Sequence, residues 1–253
     1  MQDELFYLFL NSAIGTARIL PTIFFLPFLK PSIIGGNLMR MTITLLIAMG
    51  LSPAYAISLN EWQALSFFAT LTKEAIIGML IGFAMALPFR TAMVLGELLD
   101  NQRGATISAT MDPAVGVKAS PMASFFNLFW SASFVVGGGL VLILQVIQES
   151  YRQFGITASI SLNYELLSNV AGIVTKAVMH GFILASPMII AMYLTEIALG
   201  LLAKFASQLN PFSISMSIKS IVMFSVLLIY FGPNIPGELF DMFDGTLLLN
   251  YLQ

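Results

Sequence analysis

Six long apolar segments dominate this 253-residue chain and limit what it can fold into. Each is near the roughly 20 residues that an α-helix needs to cross a bilayer, and the third and fifth are long enough for a bent helix or a hairpin. In hydrocarbon only helices or closed barrels satisfy the backbone, and these runs lack the alternation of barrel strands. The sequence therefore predicts an all-α, membrane-associated protein. The segments are Leu5 to Leu29, Leu38 to Ile57, Trp62 to Leu87, Met122 to Ile147, Leu166 to Ala203 and Phe212 to Phe231.

Composition and motifs argue against catalysis, metal binding and nucleic-acid binding. Only 9% of the residues are charged and the net charge is −2, with no basic cluster that could hold nucleic acid. The chain has no cysteine, and its one histidine, His180, has no second histidine or cysteine nearby to share a zinc ion. We interpret His180 as a buried or pore-side structural residue, with a pH sensor as the alternative. No P-loop, HExxH or GxSxG motif occurs, so we predict a protein that is not an enzyme and has no cofactor.

Ionisable residues lie in or beside five of the six apolar segments. Each would cost at least about 2.5 to 3.5 kcal/mol at a lipid-facing helix centre, so these side chains must face protein or water. Basic residues do not concentrate in alternate loops, and the positive-inside rule therefore gives no topology. We expect helices that are held by partner proteins, although Lys30 and Arg40 could extend to the membrane surface from segment ends. The residues are Arg18, Lys30, Arg40, Lys73, Glu74, Lys176, His180, Glu196, Lys204 and Lys219.

Prolines and glycines predict breaks and close helix contacts. Prolines at positions such as 21, 27, 31, 53, 88, 187 and 211 lie in or at the edges of the apolar runs, so kinked helices and short hairpins should result. Gly78 and Gly82, followed by Ala86, form a small-residue stripe that lets another helix approach closely. Gly137 to Gly139 predict a flexible or tightly packed point in the fourth segment.

Two stretches resemble each other: KEAIIGMLIGFAMALPF from Lys73 and TEIALGLLAKFASQLNPF from Thr195. They predict two similar helices that each end at a proline turn, and either a duplication or chance similarity in apolar sequence explains them. Glu196, Gly200 and Lys204 share one face of the second helix, where the charges would meet polar groups of a partner or of Lys73 and Glu74. The predicted assembly residues are Lys73, Glu74, Gly78, Gly82, Glu196, Gly200, Lys204, Gln208 and Asn210.

A polar segment, Gly104 to Ser120, interrupts the apolar sequence at its centre. It is rich in small and hydroxyl-bearing residues, and Asp112-Pro113 and Gly116 predict turns. Ser120-Pro121 should cap and start the next helix. Between membrane-like segments, such a loop indicates a re-entrant or pore-lining element, with an ordinary exposed linker as the alternative.

The motif ELLDNQRGATISATMDP, the following Ser120-Pro121 and the later LTEIALGLLAKFASQLNPFS resemble the export-gate family that includes flagellar FliR and the virulence subunit SctT. The resemblance runs over nearly the whole chain, and the Asp-Asn-Gln-Arg-Gly sequence is more similar to the virulence branch than to the flagellar branch. Ser207 departs from the family, which often has proline there.

The resemblance implies a noncatalytic subunit of a type III secretion export gate, which folds within a hetero-oligomer of kinked hairpins. Residues 1–253 would form one export-gate domain, with a pore plug at 104–120 and a C-terminal amphipathic tail at 233–253. Asp100, Arg103, Ser120 and Pro121 would anchor the loop. The implied plug residues are Gly104, Thr106, Ile107, Ser108, Thr110, Met111, Asp112, Pro113 and Gly116.

The implied partners are the R-type and S-type export-gate subunits, the U-type switch protein, the large export-gate subunit, unfolded protein substrates and the lipid membrane. The implied location is the bacterial inner membrane, with part of the complex raised to the periplasmic side. Two other classes stay open. One is a secondary transporter with broken helices around Lys73, Glu74, Glu196 and Lys204, and the other is a structural subunit without a conduit.

Overall fold

A computed structural model describes residues 2–51, 64–104, 120–156, 164–205 and 211–241. These residues form α-helices, joined near the start by one 3-10 turn at Pro27–Leu29, and no strand occurs among them. The predicted all-α class is confirmed. The helices are α1 (Gln2–Phe25), α2 (Pro31–Ile34), α3 (Asn37–Leu51), α4 (Ala64–Arg103), α5 (Pro121–Val136), α6 (Gly139–Gln153), α7 (Tyr164–Phe205) and α8 (Pro211–Asp241).

The third and fifth apolar segments each form one long helix and not a hairpin. Helix α4 has 40 residues and continues through Pro88, while α7 has 42 residues and continues through Pro187. The prediction that the α4 helix ends at Pro88 is therefore wrong. A proline inside a helix costs about 3 kcal/mol, but Met85, Phe89 and Ala92 around it are each 0% exposed, and the combined burial of these side chains outweighs the local preference.

Within the described ranges two helical stretches, Phe67–Arg103 and Ser168–Phe205, are long and apolar enough to cross a membrane. The pair α5 and α6 would be a third crossing if its two bent helices count as one span. The break between them lies at Gly137 and Gly138, where Gly138 has a φ of 85°. A methyl group on Gly139 would overlap the ring of Phe134, so the predicted tightly packed point in the fourth segment is confirmed.

Contacts divide the chain into two compact units, and the first contains the described residues of Met1–Leu87 and Phe134–Ile173. In it α1 packs against α3 and against the first half of α4. A methyl group on Gly78 would lie 2.8 Å from the carbonyl carbon of Arg18, and one on Gly82 would lie 2.7 Å from the Cα of Thr22. The predicted close helix approach at these glycines is confirmed, and the neighbour is α1 of the same chain.

Arg40 does not extend to a membrane surface, contrary to expectation. Its side chain is buried and reaches from α3 to the 3-10 turn, where its Nε donates to the carbonyl of Leu29 at 3.2 Å. Its guanidinium also lies 5.3 Å from the ring centre of Phe24. A carbonyl and an aromatic face together replace the water that the cation would otherwise need.

The second unit contains Pro88–Ser133 and Val174–Met242. The rings of Phe89 and Trp130 lie 6.2 Å apart and join α4 to α5, and a methyl group on Gly96 would come within 2.5 Å of the Cα of Ala123. The Thr91 hydroxyl donates to the Ala177 carbonyl at 3.0 Å and ties α4 to α7. This packing brings the end of α4 and the start of α5, the two ends of the central loop, close together.

Helix α8 continues to Asp241 and so includes the first nine residues of the predicted 233–253 tail. Residues 242–253 lie outside the described part of the chain.

Candidate functional site

The two ends of the central loop meet at one buried carboxylate, that of Asp100 on the last turn of α4. Asp100 is 0% exposed and accepts hydrogen bonds from Nε of Arg103 at 2.7 Å and from the backbone N–H of Met122 at 2.9 Å. The Ser120 hydroxyl donates to it as well. Because Arg103 precedes the loop and Ser120 is its last residue, this single carboxylate joins both ends.

Local sequence explains this arrangement. Arg103 follows Asp100 by three residues, which places both side chains on one face of α4. The N–H of Met122 belongs to the first turn of α5, where backbone donors have no helical acceptor and a carboxylate is favoured. The Ser120 oxygen accepts from the N–H of Ala123 at 3.1 Å, so the predicted helix cap and the helix start at Pro121 are confirmed. Gly104 has a φ of 83° and ends α4 in a left-handed conformation.

A cleft of about 480 Å³ opens beside the loop root, within the second unit. Within the cleft Lys219 donates to Glu196 at 2.9 Å and to the carbonyl of Gln102 at 3.5 Å. One turn further along α7, nothing lies within 4 Å of a methyl group placed on Gly200. The lining residues are Asn101, Gln102, Arg103, Gly104, Glu196, Leu199, Gly200, Ser215, Met216 and Lys219.

The structure gives Glu196 an ion-pair partner that the sequence prediction missed. Its carboxylate meets Lys219 of α8, and Glu74 has its own partner, Arg18. The Glu196 side chain is still 51% exposed and Gly200 faces open space, so this part of α7 is accessible to another molecule. Lys204 is exposed on the same helix. Gln208 and Asn210 lie outside the described residues.

A second buried charge cluster, which we call the Arg18 cluster, lies in the first unit. Arg18 on α1 is 0% exposed, and its Nε donates to Glu74 of α4 at 2.6 Å. The same guanidinium donates to the Ser150 hydroxyl at 3.2 Å and to the Phe154 carbonyl at 2.8 Å, and it stacks over Tyr151 at 3.9 Å. One arginine thus ties α1 to α4 and to the end of α6.

Lys73 completes the Arg18 cluster from the neighbouring position on α4. Its ammonium lies 3.5 Å from the second oxygen of Glu74 and donates to the carbonyls of Gly155, at 3.2 Å, and Ile156. Together with Arg18 it supplies cations to carbonyl groups just beyond the C-terminal end of α6, where the helix dipole favours positive charge. The cluster therefore holds the end of α6 in place.

Not every predicted site residue can be placed. Asp100, Arg103 and Ser120 are brought together, and Lys73 and Glu74 belong to the Arg18 cluster, but Arg18, Ser150 and Tyr151 were not predicted as its members. The sequence feature that could have predicted the cluster is that Arg18 and Glu74 each lie in an apolar helix, where a charged side chain needs a partner. The predicted plug residues Thr106, Ile107, Ser108, Thr110, Met111, Asp112, Pro113 and Gly116 lie outside the described ranges.

The comparison with known proteins agrees with the export-gate resemblance. The family model described as bacterial export proteins, family 1, matches residues 9–244. The chain is 34% identical over 235 residues to the surface presentation of antigens protein SpaR of Salmonella typhimurium. This alignment covers 93% of the chain and 88% of SpaR. The chain is 38% identical over 212 residues to SpaR of Shigella flexneri, and this alignment covers 84% of the chain and 81% of that SpaR.

The flagellar biosynthetic protein FliR of Pectobacterium carotovorum is more distant, with 24% identity over 215 residues that cover 82% of this chain and 81% of FliR. The predicted placement nearer the virulence branch than the flagellar one is confirmed. Since the family model spans most of the chain and includes both clusters, the chain belongs to the bacterial export proteins, family 1.

Proposed function

We propose that this chain is a noncatalytic subunit of a type III secretion export gate, in which it forms part of the protein-conducting channel and of its seal. The observation that carries the proposal is family membership over residues 9–244, which include the loop and both of its ends. Surface presentation proteins and a flagellar protein are relatives of the same chain. A component of a shared export apparatus accounts for both relationships.

The loop root supports a role for residues 104–120 as the plug. Asp100 holds the two ends of the loop together through Arg103 and Ser120, so the loop begins and ends at one defined point. Those residues include Thr106, Ser108 and Thr110. Small hydroxyl side chains bind water or backbone equally well, which suits a plug that must leave a hydrated passage, whereas large apolar groups would favour the closed state.

Exposed apolar surface supports assembly with other subunits in the inner membrane. On α7, Phe182 is 51% exposed, Ile190 59% and Leu194 60%, and only 22% of the most apolar part of this helix is buried inside the chain. Patches of this kind mark contacts with protein or lipid. We propose the R-type and S-type subunits as direct neighbours, with the U-type switch protein, the large export-gate subunit and unfolded substrates as further partners. Part of the complex would be raised to the periplasmic side.

Deletion of Ile107 to Met111 tests the plug. The complex should assemble as in wild type, because the loop root is untouched, but the resting channel should pass ions and small solutes. The measurement is the conductance of the purified complex in planar bilayers. Replacing the same five residues with glycine and serine keeps the length of the loop and serves as the matched control, which should leak less than the deletion.

A deletion variant that assembles, conducts no more than the wild-type complex and secretes normally would refute the plug and indicate that the loop is a linker. Protein secretion by cells that depend on this chain separates the export gate from the transporter class. Ion-coupled uptake of a small molecule by the purified chain alone would instead support a secondary transporter. The transporter class has less support from the Arg18 cluster, because Glu74 is 0% exposed and already paired with a cation.

A further inference from the structure

A polar stripe follows the outer face of the second half of α4. The stripe consists of three exposed residues, Arg90, Glu97 and Asn101. Glu97 follows Arg90 by seven residues and Asn101 follows it by eleven, which is about two and three helical turns. The opposite face carries Ala92, Leu95 and Leu99, which are each 0% exposed. We call the three exposed residues the α4 stripe.

The two charges of the stripe have no partner within the part of the chain that the structure describes. Neither Arg90 nor Glu97 makes an ion pair or a hydrogen bond there, and the helix rise separates them by about 10 Å along the axis. By contrast, the next acidic residue on α4, Asp100, is buried and fully engaged. The stripe is therefore a place where charge is presented outward without compensation.

Lipid does not fit this face. A charged side chain at a lipid-facing helix centre costs about 2.5 to 3.5 kcal/mol, and α4 carries two on one narrow stripe within a stretch long and apolar enough to cross a membrane. Helix α7 differs, because no Asp, Glu, Lys or Arg occurs between Lys176 and Glu196. The helix between these two residues is about 30 Å long, which is the thickness of the hydrocarbon core of a bilayer. The exposed face of α7 can meet acyl chains, whereas the α4 stripe cannot.

We propose that the α4 stripe lines the water-filled passage of the export gate and forms a hydrated wall that leads to the loop root. The proposal rests on the proposed function. Asn101 borders the cleft beside the loop root, and α4 ends two residues later at Arg103, so the stripe reaches the point where the loop begins. A wall with one cation and one anion two turns apart does not retain a passing chain of either charge, which suits a conduit for unfolded proteins of varied sequence.

The absence of cysteine from the sequence makes the test direct, since any single cysteine is the only thiol in the chain. Arg90→Cys, Glu97→Cys and Asn101→Cys report on the stripe, in the complete complex co-expressed with its partner subunits. Phe182→Cys and Ile190→Cys are matched controls on the exposed apolar face of α7, and Leu95→Cys is the buried control. Asn101→Cys keeps both charges and covers the case in which loss of Glu97 or Arg90 prevents assembly.

The readout is the rate at which a charged, membrane-impermeant maleimide modifies this chain in the purified complex. The stripe cysteines should react at least about tenfold faster than the α7 and Leu95 controls, since thiols react as thiolates in water. Stripe cysteines that react no faster than these controls, or that are protected and crosslink to a partner subunit, would overturn the proposal. If the stripe positions are labelled but the unaltered chain supports no secretion, the export gate is refuted and only the hydration of the stripe remains as a result. Secretion with an unlabelled stripe would count against this inference alone.

Discussion

Substitution of Arg18 by methionine tests whether the Arg18 cluster holds the first unit together. Methionine keeps much of the apolar stem and removes the guanidinium, which donates to Glu74 at 2.6 Å, Ser150 at 3.2 Å and the Phe154 carbonyl at 2.8 Å. Removing one member of a buried ion pair costs about 3 to 5 kcal/mol, because the other charge stays buried without compensation. Lys73 still lies 3.5 Å from Glu74, so we expect the lower end of that range.

The assay is the yield and the thermal stability of the complex co-expressed with its partner subunits. A loss of about 3 kcal/mol should reduce the amount of assembled complex several-fold, since about 1 to 2 kcal/mol is already enough to change protein abundance to that extent. Arg152→Met is the matched control, because Arg152 pairs with Glu149 at 3.3 Å on α6 but is 71% exposed. An exposed pair of this kind contributes about 1 kcal/mol or less.

The double variant Arg18→Met/Glu74→Met separates the cost of an unpaired charge from the value of the pair. Apolar replacement of both partners removes both charges of the buried pair, and the partly exposed Lys73 keeps its hydrogen bonds to the Gly155 and Ile156 carbonyls, so most of the lost stability should return. If Arg18→Met instead assembles and melts like Arg152→Met, the buried carboxylate is compensated in another way and the reasoning is wrong. The same conclusion follows if the double variant is less stable than Arg18→Met.

Three further predictions follow from the packing. Gly78→Ala should cost about 1 to 3 kcal/mol through overlap with the backbone of Arg18, whereas Gly200→Ala should not lower the melting temperature and should raise it slightly, because alanine favours the helix and meets no neighbour; equal effects would contradict the contact between α1 and α4. Gly200→Leu should preserve the chain's own packing but reduce co-purification with partner subunits through steric overlap, and wild-type complex yield and secretion would refute it. Expressed without those subunits, the chain should aggregate or be degraded because of its exposed apolar faces and ionisable residues, and a monodisperse helical monomer in mild detergent would argue against this.

The sequence by itself determined the class of protein and the places that need explanation. Apolar segments of membrane-spanning length predict helices, and the helix cap at Ser120-Pro121 and the break at Gly137 to Gly139 are local features that the backbone preferences of serine, proline and glycine specify. The family could also be predicted from the motif around Asp100, because short polar motifs stand out in a chain so apolar.

Only the tertiary structure decided which charge meets which. Arg18 and Glu74 are 56 residues apart and Arg18 and Ser150 are 132 apart, so their pairing depends on how α1, α4 and α6 pack. The same holds for Lys219 and Glu196, which face each other from different helices. Pro88 shows the limit of local rules: it predicts a helix end, but the buried contacts of the residues around it keep α4 continuous. Local preferences amount to a few kcal/mol, and burial across several helices amounts to more, which is why the packed structure decides these cases.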